Sequence, residues 1–367
     1  MRGAPARRDQ QRLRVLILTH IDIFMSYSEI RTSTLGPLGL EPALAALGAA
    51  GEETRLRLLA LLSESELTVS ETVAILGQSQ PRVSRHLKLL AEAGLIERRR
   101  EGAWAFFKLA RGGPAGRMAQ SLVDWLDAGD PQLAADRARL AEARQARADN
   151  AARYFAAHAA EWDDIRTLHA PDALVERAIL DAVGTAPLHR LLDLGAGAGR
   201  MLELFAPQAA EAIGVDLSSA MLAAARGRLE ETGARNVQLR QGDIYAVPVE
   251  RNSCDLAILH QVLHYLDDPG RALREAARTL SPGGRLLIVD FAPHEEEALR
   301  EKHAHRRLGF STAEIADLLA QANLSLELAR DLAPGPGEAA KLTVSLWLAR
   351  DRRSIADSLP SSSSETA

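Results

Sequence analysis

Cysteine is almost missing from this chain: Cys254 is the only one in 367 residues. A single thiol excludes an internal disulfide framework and a thiolate cluster for a metal, and it suits a reducing, cytoplasmic compartment. Long apolar runs are also absent, and nothing approaches the ~20 residues of a membrane span. The N-terminus has the outline of an export signal, with Arg2, Arg7, Arg8, Arg12 and Arg14 ahead of an apolar run at 15–18, but His20 and Asp22 interrupt it and no small-residue cleavage site follows. It is expected to be an unstructured extension, or to lie upstream of a true start at Met25. The net charge of −5 is small, yet it is unevenly placed. Residues 80–111 hold eight Lys and Arg (Arg82, Arg85, Lys88, Arg98, Arg99, Arg100, Lys108, Arg111) against Glu92, Glu97 and Glu101, a local +5 that leaves −10 elsewhere. Such asymmetry points to a polyanionic partner for one region.

The length calls for two domains, with a helical piece between them. Five segments are expected: an extension at 1–35, a winged helix-turn-helix domain at 36–112, a helical dimerisation, connector and pocket-cap region at 113–168, an α/β domain at 169–352, and a tail at 353–367. The tail carries the low-complexity run Ser361-Ser362-Ser363-Ser364 and is expected to be disordered.

In the front half, Leu56, Leu58, Leu59, Leu61 and Leu62 read as a buried helix, followed by a second helix at 70–76 and a break at Gly77-Gln78-Ser79. Ser79 or Gln80 can cap the next helix, with Pro81 in its first turn and Gly94 at a left-handed end. Val83, Leu87 and Leu90 repeat at i, i+4, i+7, so Arg82, Ser84, Arg85 and Lys88 point outward. A short helix, a tight turn and a second helix with a basic outer face suit a DNA major groove. Residues 95–101, a turn at Gly102 and residues 104–109 read as a hairpin wing whose Arg98-Arg99-Arg100 would lie along phosphates. The DNA-binding set is therefore Gln80, Arg82, Ser84, Arg85, His86, Lys88, Arg98, Arg99 and Arg100.

The run Gln80-Pro81-Arg82-Val83-Ser84-Arg85-His86-Leu87-Lys88-Leu89-Leu90, continued by Ala93-Gly94-Leu95-Ile96, resembles the recognition helix of the ArsR/SmtB family of bacterial repressors. The resemblance covers roughly 44–110. It implies a transcriptional repressor, a homodimer joined through the helices flanking the winged motif, and a pseudo-palindromic double-stranded DNA operator. Many members sense metals through a Cys-x-Cys pair before the recognition helix or through His and acidic ligands after the wing. Here the first position reads Thr68-Val69-Ser70-Glu71-Thr72 and residues 116–127 hold no His, so metal sensing in those positions loses its ligands.

Met118, Leu122, Val123, Trp125 and Leu126 make a candidate dimer helix. After Gly129-Asp130-Pro131, an Ala-, Arg- and Glu-rich stretch at 133–162 reads as one long helix, either a rigid spacer or a solvated surface. From 190 onward strands alternate with helices: 191–194, 212–216, 237–240, 256–259 and 285–289, closed by 324–328 and 343–349. This predicts a mostly parallel, seven-stranded α/β sheet of Rossmann-like type with a ligand at the strands' carboxyl ends.

Two signals say which ligand. The glycine-rich loop Leu192-Asp193-Leu194-Gly195-Ala196-Gly197-Ala198-Gly199 ends the first strand, but Arg200 stands where a dinucleotide fingerprint needs its third glycine. Asp216 ends the second strand, where a carboxylate can accept both hydroxyls of a ribose. Asp243 lies just past the third strand, placed for an adenine amino group, with Leu217 and Ile244 on either side of the ring. These landmarks, with Val262-Leu263-His264-Tyr265-Leu266-Asp267-Asp268-Pro269 and Leu280-Ser281-Pro282-Gly283-Gly284-Arg285, make residues 184–350 resemble a class I S-adenosylmethionine-dependent methyltransferase. Tyr154, Phe155, His158, Trp162, Asp163 and Arg166 resemble the lead-in that covers the pocket of many small-molecule members.

The resemblance implies S-adenosyl-L-methionine or S-adenosyl-L-homocysteine as ligand, held by Asp193, Gly195, Gly197, Gly199, Asp216, Leu217, Asp243, Ile244 and His260. His260, His264, His303 and His305 are the possible bases, and no catalytic residue is assigned. Arsenite methyltransferases need several cysteines, so that substrate is not expected, and the Asn/Asp-Pro-Pro-aromatic signature of amino-methylating enzymes is replaced by Leu259-His260-Gln261-Val262. The expected function is a DNA-binding regulator whose methyltransferase-fold domain takes an S-adenosyl nucleoside as effector or cosubstrate. The alternative is an active small-molecule methyltransferase with an autoregulatory DNA-binding head.

Overall fold

The computed structural model describes residues 38–101, 103–162, 172–335 and 342–353. The expected extension at 1–35, the tail from 354, the turn residue Gly102 and the cap residues Asp163 and Arg166 lie outside them. The chain divides into two compact units, residues 1–99 with 105–140, and residues 100–104 with 141–367.

The first unit contains α1 (Leu40–Ala50), α2 (Glu53–Glu64), β1 (Leu67–Thr68), α3 (Val69–Leu76), α4 (Gln80–Glu92), most of β2 (Ile96–Glu101) and of β3 (Trp104–Leu109), and α5 (Gly113–Trp125). The start of α3 is set by a capping box: the Thr68 hydroxyl accepts from the Glu71 amide at 3.2 Å, and the Glu71 carboxylate accepts from the Thr68 amide at 2.8 Å. Gly77, at φ 65°, ends that helix in the left-handed region, which favours a residue without Cβ. Ser79 is the backbone N-cap of α4 but makes no side-chain cap, so Pro81 in the first turn is the remaining start signal. The strands form a three-stranded sheet in the order β1-β3-β2.

Val83, Leu87 and Leu90 of α4 are buried, packed in one core with Leu58, Leu59, Leu61 and Leu62 of α2. Within it lies an ion pair that the periodicity does not disclose. Arg57 donates to both carboxylate oxygens of Asp136, at 2.7 and 2.9 Å, with the two residues 8 % and 1 % exposed. Asp136 belongs to α6 (Pro131–His158), the long helix expected from 133, which ends at His158 and passes into a 3₁₀ turn at Ala159–Glu161.

The second unit holds a seven-stranded sheet in the order β6-β5-β4-β7-β8-β10-β9. Its strands are β4 (Leu188–Leu194), β5 (Ala209–Asp216), β6 (Val237–Gln241), β7 (Cys254–His260), β8 (Leu280–Phe291), β9 (Leu324–Leu332) and β10 (Val344–Asp351). The first five run parallel, and β10 is antiparallel to both β8 and β9. Helices α7 (Asp172–Val183), α8 (Arg200–Phe205), α9 (Ser219–Thr232), α10 (Pro269–Thr279), α11 (Ala298–Lys302) and α12 (Thr312–Gln321) accompany it. Two apolar clusters, one around Leu191, Phe205 and Leu287, the other around Leu192, Ile213 and Trp347, form its core.

The chain builds outward from β4 through β5 to β6 and then returns to β7 on β4's other side, so the order reverses at β4 and the crevice at its carboxyl end is the natural ligand position. Strand β8 runs two residues past the expected 289 because β10 keeps pairing with it, Ser345 with Asp290 and Val344 with Phe291. That extension carries Asp290 to the same end of the sheet.

Candidate functional site

On the first unit, Gln80, Arg82, Arg85 and Lys88 stand exposed along α4 and Ser84 is half-buried, as the buried stripe of Val83, Leu87 and Leu90 requires. Arg98 and Arg100 are exposed on β2. Two expected DNA contacts are placed differently. His86 turns toward the start of α2, with Nδ1 3.7 Å from the Glu52 carboxylate and a side chain 12 % exposed. Burial lowers its pKa, so it is neutral at physiological pH and brings no charge to a phosphate. Arg99 points to the opposite side of β2 from Arg98 and Arg100. It makes a two-pronged pair with Glu66 at 3.2 and 3.1 Å, with its guanidinium 4.8 Å from the centre of the Phe106 ring. Alternation along the strand explains this, since three consecutive arginines cannot share one face. Both residues serve the head's own packing.

On the second unit the loop after β4 is built so that backbone can close on a ligand. Gly195, Gly197 and Gly199 have φ of 73°, 51° and 83°. A Cβ at Gly195 would lie 2.6 Å from Val262 Cγ2, and one at Gly199 would lie 3.0 Å from the Ala225 Cβ, so a side chain at either would have to displace the segment beyond β7 or α9. The loop is pinned to β5, as the Gly195 and Ala196 amides donate to the Val215 carbonyl at 2.8 and 3.0 Å.

Asp216 completes that arrangement. One carboxylate oxygen accepts from the Gly197 amide at 2.9 Å and the other from the Ser218 amide at 2.8 Å, which locks the carboxylate plane beside the loop. Each oxygen keeps a further lone pair, enough to take a pair of hydroxyl donors. Burial raises its pKa, opposed by the backbone donors Ser218, Gly197 and Leu217. Asp193, just before the loop, is 2 % exposed, and its Oδ2 is buried without a hydrogen-bond partner. Burial first, and the charge of Asp216 second, push its pKa up to about 8. A buried carboxyl with an unpartnered oxygen, beside a glycine cradle and a carboxylate with free lone pairs, fits a cationic ligand that carries hydroxyls, and so fits the donor and acceptor set of an S-adenosyl nucleoside.

The remaining expected residues surround this pair less tightly. Leu217 is 57 % exposed and Ile244 is half-buried against the second apolar cluster. Asp243 is exposed, with Oδ1 accepting from the Tyr245 amide at 2.9 Å, so its other oxygen remains for a ligand. His260 ends β7, half-buried, next to Gln261 at φ 53°.

Aromatic side chains extend from the loop. The Trp162 indole Nε1 would lie 3.5 Å from a Cβ at Gly197, Phe155 is edge-on to Trp162 at 5.4 Å between centroids, and Tyr265 is edge-on to Phe155 at 4.9 Å. Tyr265 adjoins His264, whose Nδ1 is 2.7 Å from Asp290 Oδ1. The residue that sequence reading missed is Asp290. An acid closing the apolar strand Leu286-Leu287-Ile288-Val289 is the same signal that marks Asp193 and Asp216, and it was available at the fifth strand as well. Among the described residues no group of three or more His, Cys, Asp or Glu side chains is placed to hold a metal ion, and no helix is long and apolar enough to cross a membrane.

Comparison with known proteins meets this geometry at both ends. The family model described as "Bacterial regulatory protein, arsR family" matches residues 52–98, and one described as "Methyltransferase domain" matches 192–288. The chain joins an arsR-family regulatory domain to a methyltransferase domain. Among relatives of the second part, the uncharacterized methyltransferase YcgJ of Bacillus subtilis is 38 % identical over 113 residues, which are 31 % of this chain and 45 % of that protein. The ubiquinone/menaquinone biosynthesis C-methyltransferase UbiE of Cellvibrio japonicus is 32 % identical over 157 residues, 41 % of this chain and 63 % of that protein. The chain thus spans less than two thirds of the length of these relatives. The crystal structure of Bacillus subtilis YcgJ superposes with a TM-score of 0.41 and 24 % identity, covering 48 % of this chain and 97 % of that one.

Proposed function

We propose that this two-domain chain is a DNA-binding transcriptional regulator, a dimeric repressor, whose methyltransferase domain binds S-adenosylmethionine or S-adenosylhomocysteine, so that the nucleoside sets operator occupancy. The observation that carries the nucleoside half is the Asp216 carboxylate, fixed by the Gly197 and Ser218 amides at 2.9 and 2.8 Å beside three left-handed glycines. The bound sulfonium nucleoside would supply an activated methyl group. The chain's own contribution is to grip the ribose through Asp216, to leave a backbone-only approach at Gly195, Gly197 and Gly199, and to place Asp193 near the cationic end. On the head, Gln80, Arg82, Ser84, Arg85 and Lys88 would face the major groove, with Arg98 and Arg100 toward phosphates.

A ligand can shift operator affinity only by the difference in its affinity for the DNA-competent and incompetent states, about 1.4 kcal/mol for each tenfold. Calorimetry with each nucleoside, followed by titration of a labelled operator in its presence, tests the reading. Micromolar nucleoside binding with a changed operator affinity supports it, and equal operator affinity with and without saturating nucleoside ends the sensing claim.

The second reading is an active small-molecule methyltransferase with an autoregulatory DNA-binding head. The aromatic series Trp162, Phe155 and Tyr265 leading from the loop to His264 and Asp290 favours it, because a pure sensor has no need of an acceptor site. Label transfer from S-adenosylmethionine to a metabolite extract checks this.

A further inference from the structure

We infer that His264, held by Asp290, is a general base for an acceptor that must lose an O–H proton, an aromatic alcohol or enol, so that the domain is an O-methyltransferase. The inference rests on the second reading above and names its substrate class.

His264 sits in the 3₁₀ turn Leu263–Tyr265 just past β7, and Asp290 is next to last in β8. They are 1 % and 0 % exposed. Asp290 Oδ1 accepts from the Phe291 amide at 2.8 Å, and Oδ2 lies 3.3 Å from the His264 amide, so the carboxylate is surrounded by backbone donors. A carboxylate in that setting can only accept, so the short contact at 2.7 Å places the imidazole proton on Nδ1. Nε2 is then left with its lone pair. That nitrogen is buried and has no hydrogen-bond partner among the described residues. An orphaned buried nitrogen of this kind is destabilising, and a ligand donor that satisfies it is the simplest reason for its presence.

The turn is held in place from the other side as well. The His264 carbonyl accepts from the Arg306 and Arg307 amides at 2.8 and 3.0 Å, and the His305 ring stacks on the imidazole at 4.0 Å between centroids, 27° from parallel. The ring therefore cannot swing to find another partner. The groups that face it are Asp290 from β8, His305 from the segment after α11, and Tyr265 from its own turn.

The neighbours select the acceptor. Tyr265, Phe291 and His305 pack their rings around the imidazole and Phe155 stands edge-on to Tyr265, an aromatic lining that suits a flat aromatic body. An amine that is already neutral presents its lone pair without a base, whereas a hydroxyl becomes a strong nucleophile only as its proton leaves. Val262 packs on Gly195 and Trp162 stands over Gly197, so the turn bearing His264 adjoins the cofactor loop. In the transfer, His264 Nε2 takes the hydroxyl proton, the oxygen lone pair forms the new bond to the methyl carbon, and the electrons of the broken carbon–sulfur bond stay on sulfur. Asp290 holds the resulting imidazolium until the proton passes to water.

The test uses the full chain saturated with S-adenosylhomocysteine and 4-nitrophenol as probe, whose anion absorbs visible light. Wild type is expected to bind the probe with a larger anionic fraction than buffer at the same pH. His264→Gln and Asp290→Asn should each abolish that excess while retaining S-adenosylhomocysteine affinity within a few fold. With S-adenosylmethionine and a panel of phenols, both variants should lower kcat by about 10²-fold or more with KM little changed. Failure of wild type to bind S-adenosylhomocysteine would remove the nucleoside reading itself. Binding of the nucleoside with no anionic excess, or an excess that survives both variants, overturns the base. Should both variants misfold, ¹⁵N spectra of histidine-labelled wild type decide: an unprotonated Nε2 that becomes protonated on adding the probe supports the inference, and an Nε2 already protonated or unmoved refutes it.

Discussion

The proposed DNA-binding face and the proposed nucleoside site are built from the chain in opposite ways. The first is local: Gln80, Arg82, Arg85 and Lys88 lie within nine residues of one helix, and a single stripe of Val83, Leu87 and Leu90 orients them all. The second is assembled: Gly197, Asp216, Trp162 and Asp290 come from segments up to 128 residues apart and meet because three strand ends and a helix end converge. A local face tolerates loss of one contact, because each phosphate or base contact is nearly independent. An assembled site does not, because each residue positions another.

The strongest way to break this contrast is at the loop. Asp216→Ala removes an acceptor for two backbone donors as well as the sugar grip, and it should weaken either S-adenosyl nucleoside by about 10²-fold or more, since charge-assisted bonds contribute about 1.5–3 kcal/mol each. Gly195→Ala should do similar damage through the clash with Val262 and the strained φ. Operator binding by the nucleoside-free protein should stay within twofold of wild type, measured by fluorescence anisotropy. A matching loss of DNA affinity would mean that the sites are not separable.

Asp136→Ala should produce the next largest effect, and on the head alone. It leaves the Arg57 guanidinium buried without its carboxylate, a change that costs about 3–5 kcal/mol. A fall in the melting temperature of the DNA-binding unit, with nucleoside affinity retained, is expected by calorimetry.

These two cases also mark what the sequence discloses. The strands of the sheet, the glycine loop and Asp216 are legible because hydrophobic runs, glycines and strand-end acids are signals carried by neighbouring residues. The Arg57–Asp136 pair is not, since 79 residues separate the partners and each looks like an ordinary surface charge in its own helix. His264 was visible as a histidine but not as half of a dyad, because its tautomer is decided by Asp290, 26 residues away on another strand. Arg99 and His86 were misplaced for a related reason. A basic run advertises charge, whereas the pleat of β2 and the turn of α4 decide which of those charges reach solvent.

A subtler contrast is protonic. Asp193, raised from 3.8 to about 8, is protonated in the nucleoside-free protein at neutral pH. Because the folded value lies above the unfolded one, its contribution to stability is complete below about pH 4 and is lost as pH climbs toward 8. A cationic ligand beside it favours the ionised form, so nucleoside binding should release up to one proton and tighten as pH rises from 6 to 8. Calorimetry in buffers of different ionisation enthalpy should give a slope near one proton, and Asp193→Asn should bring that slope close to zero. Asp193 belongs to the methyltransferase domain, so operator binding should show no such release from this source.

The smallest effects separate two arginines that composition treats alike. Arg85 is exposed on α4, and Arg85→Ala should weaken operator binding and lower the slope of log affinity against log salt by about 0.9 if its contact is to a phosphate. Arg99 is already engaged by Glu66 and by the Phe106 ring, so Arg99→Ala should leave the salt slope unchanged. Its cost should appear instead as about 1 kcal/mol or less of stability, since the pair is only partly shielded from water. Equal salt slopes for the two variants would return Arg99 to the phosphate-binding set, and with it the view that charge density rather than strand geometry defines the wing's contact with DNA.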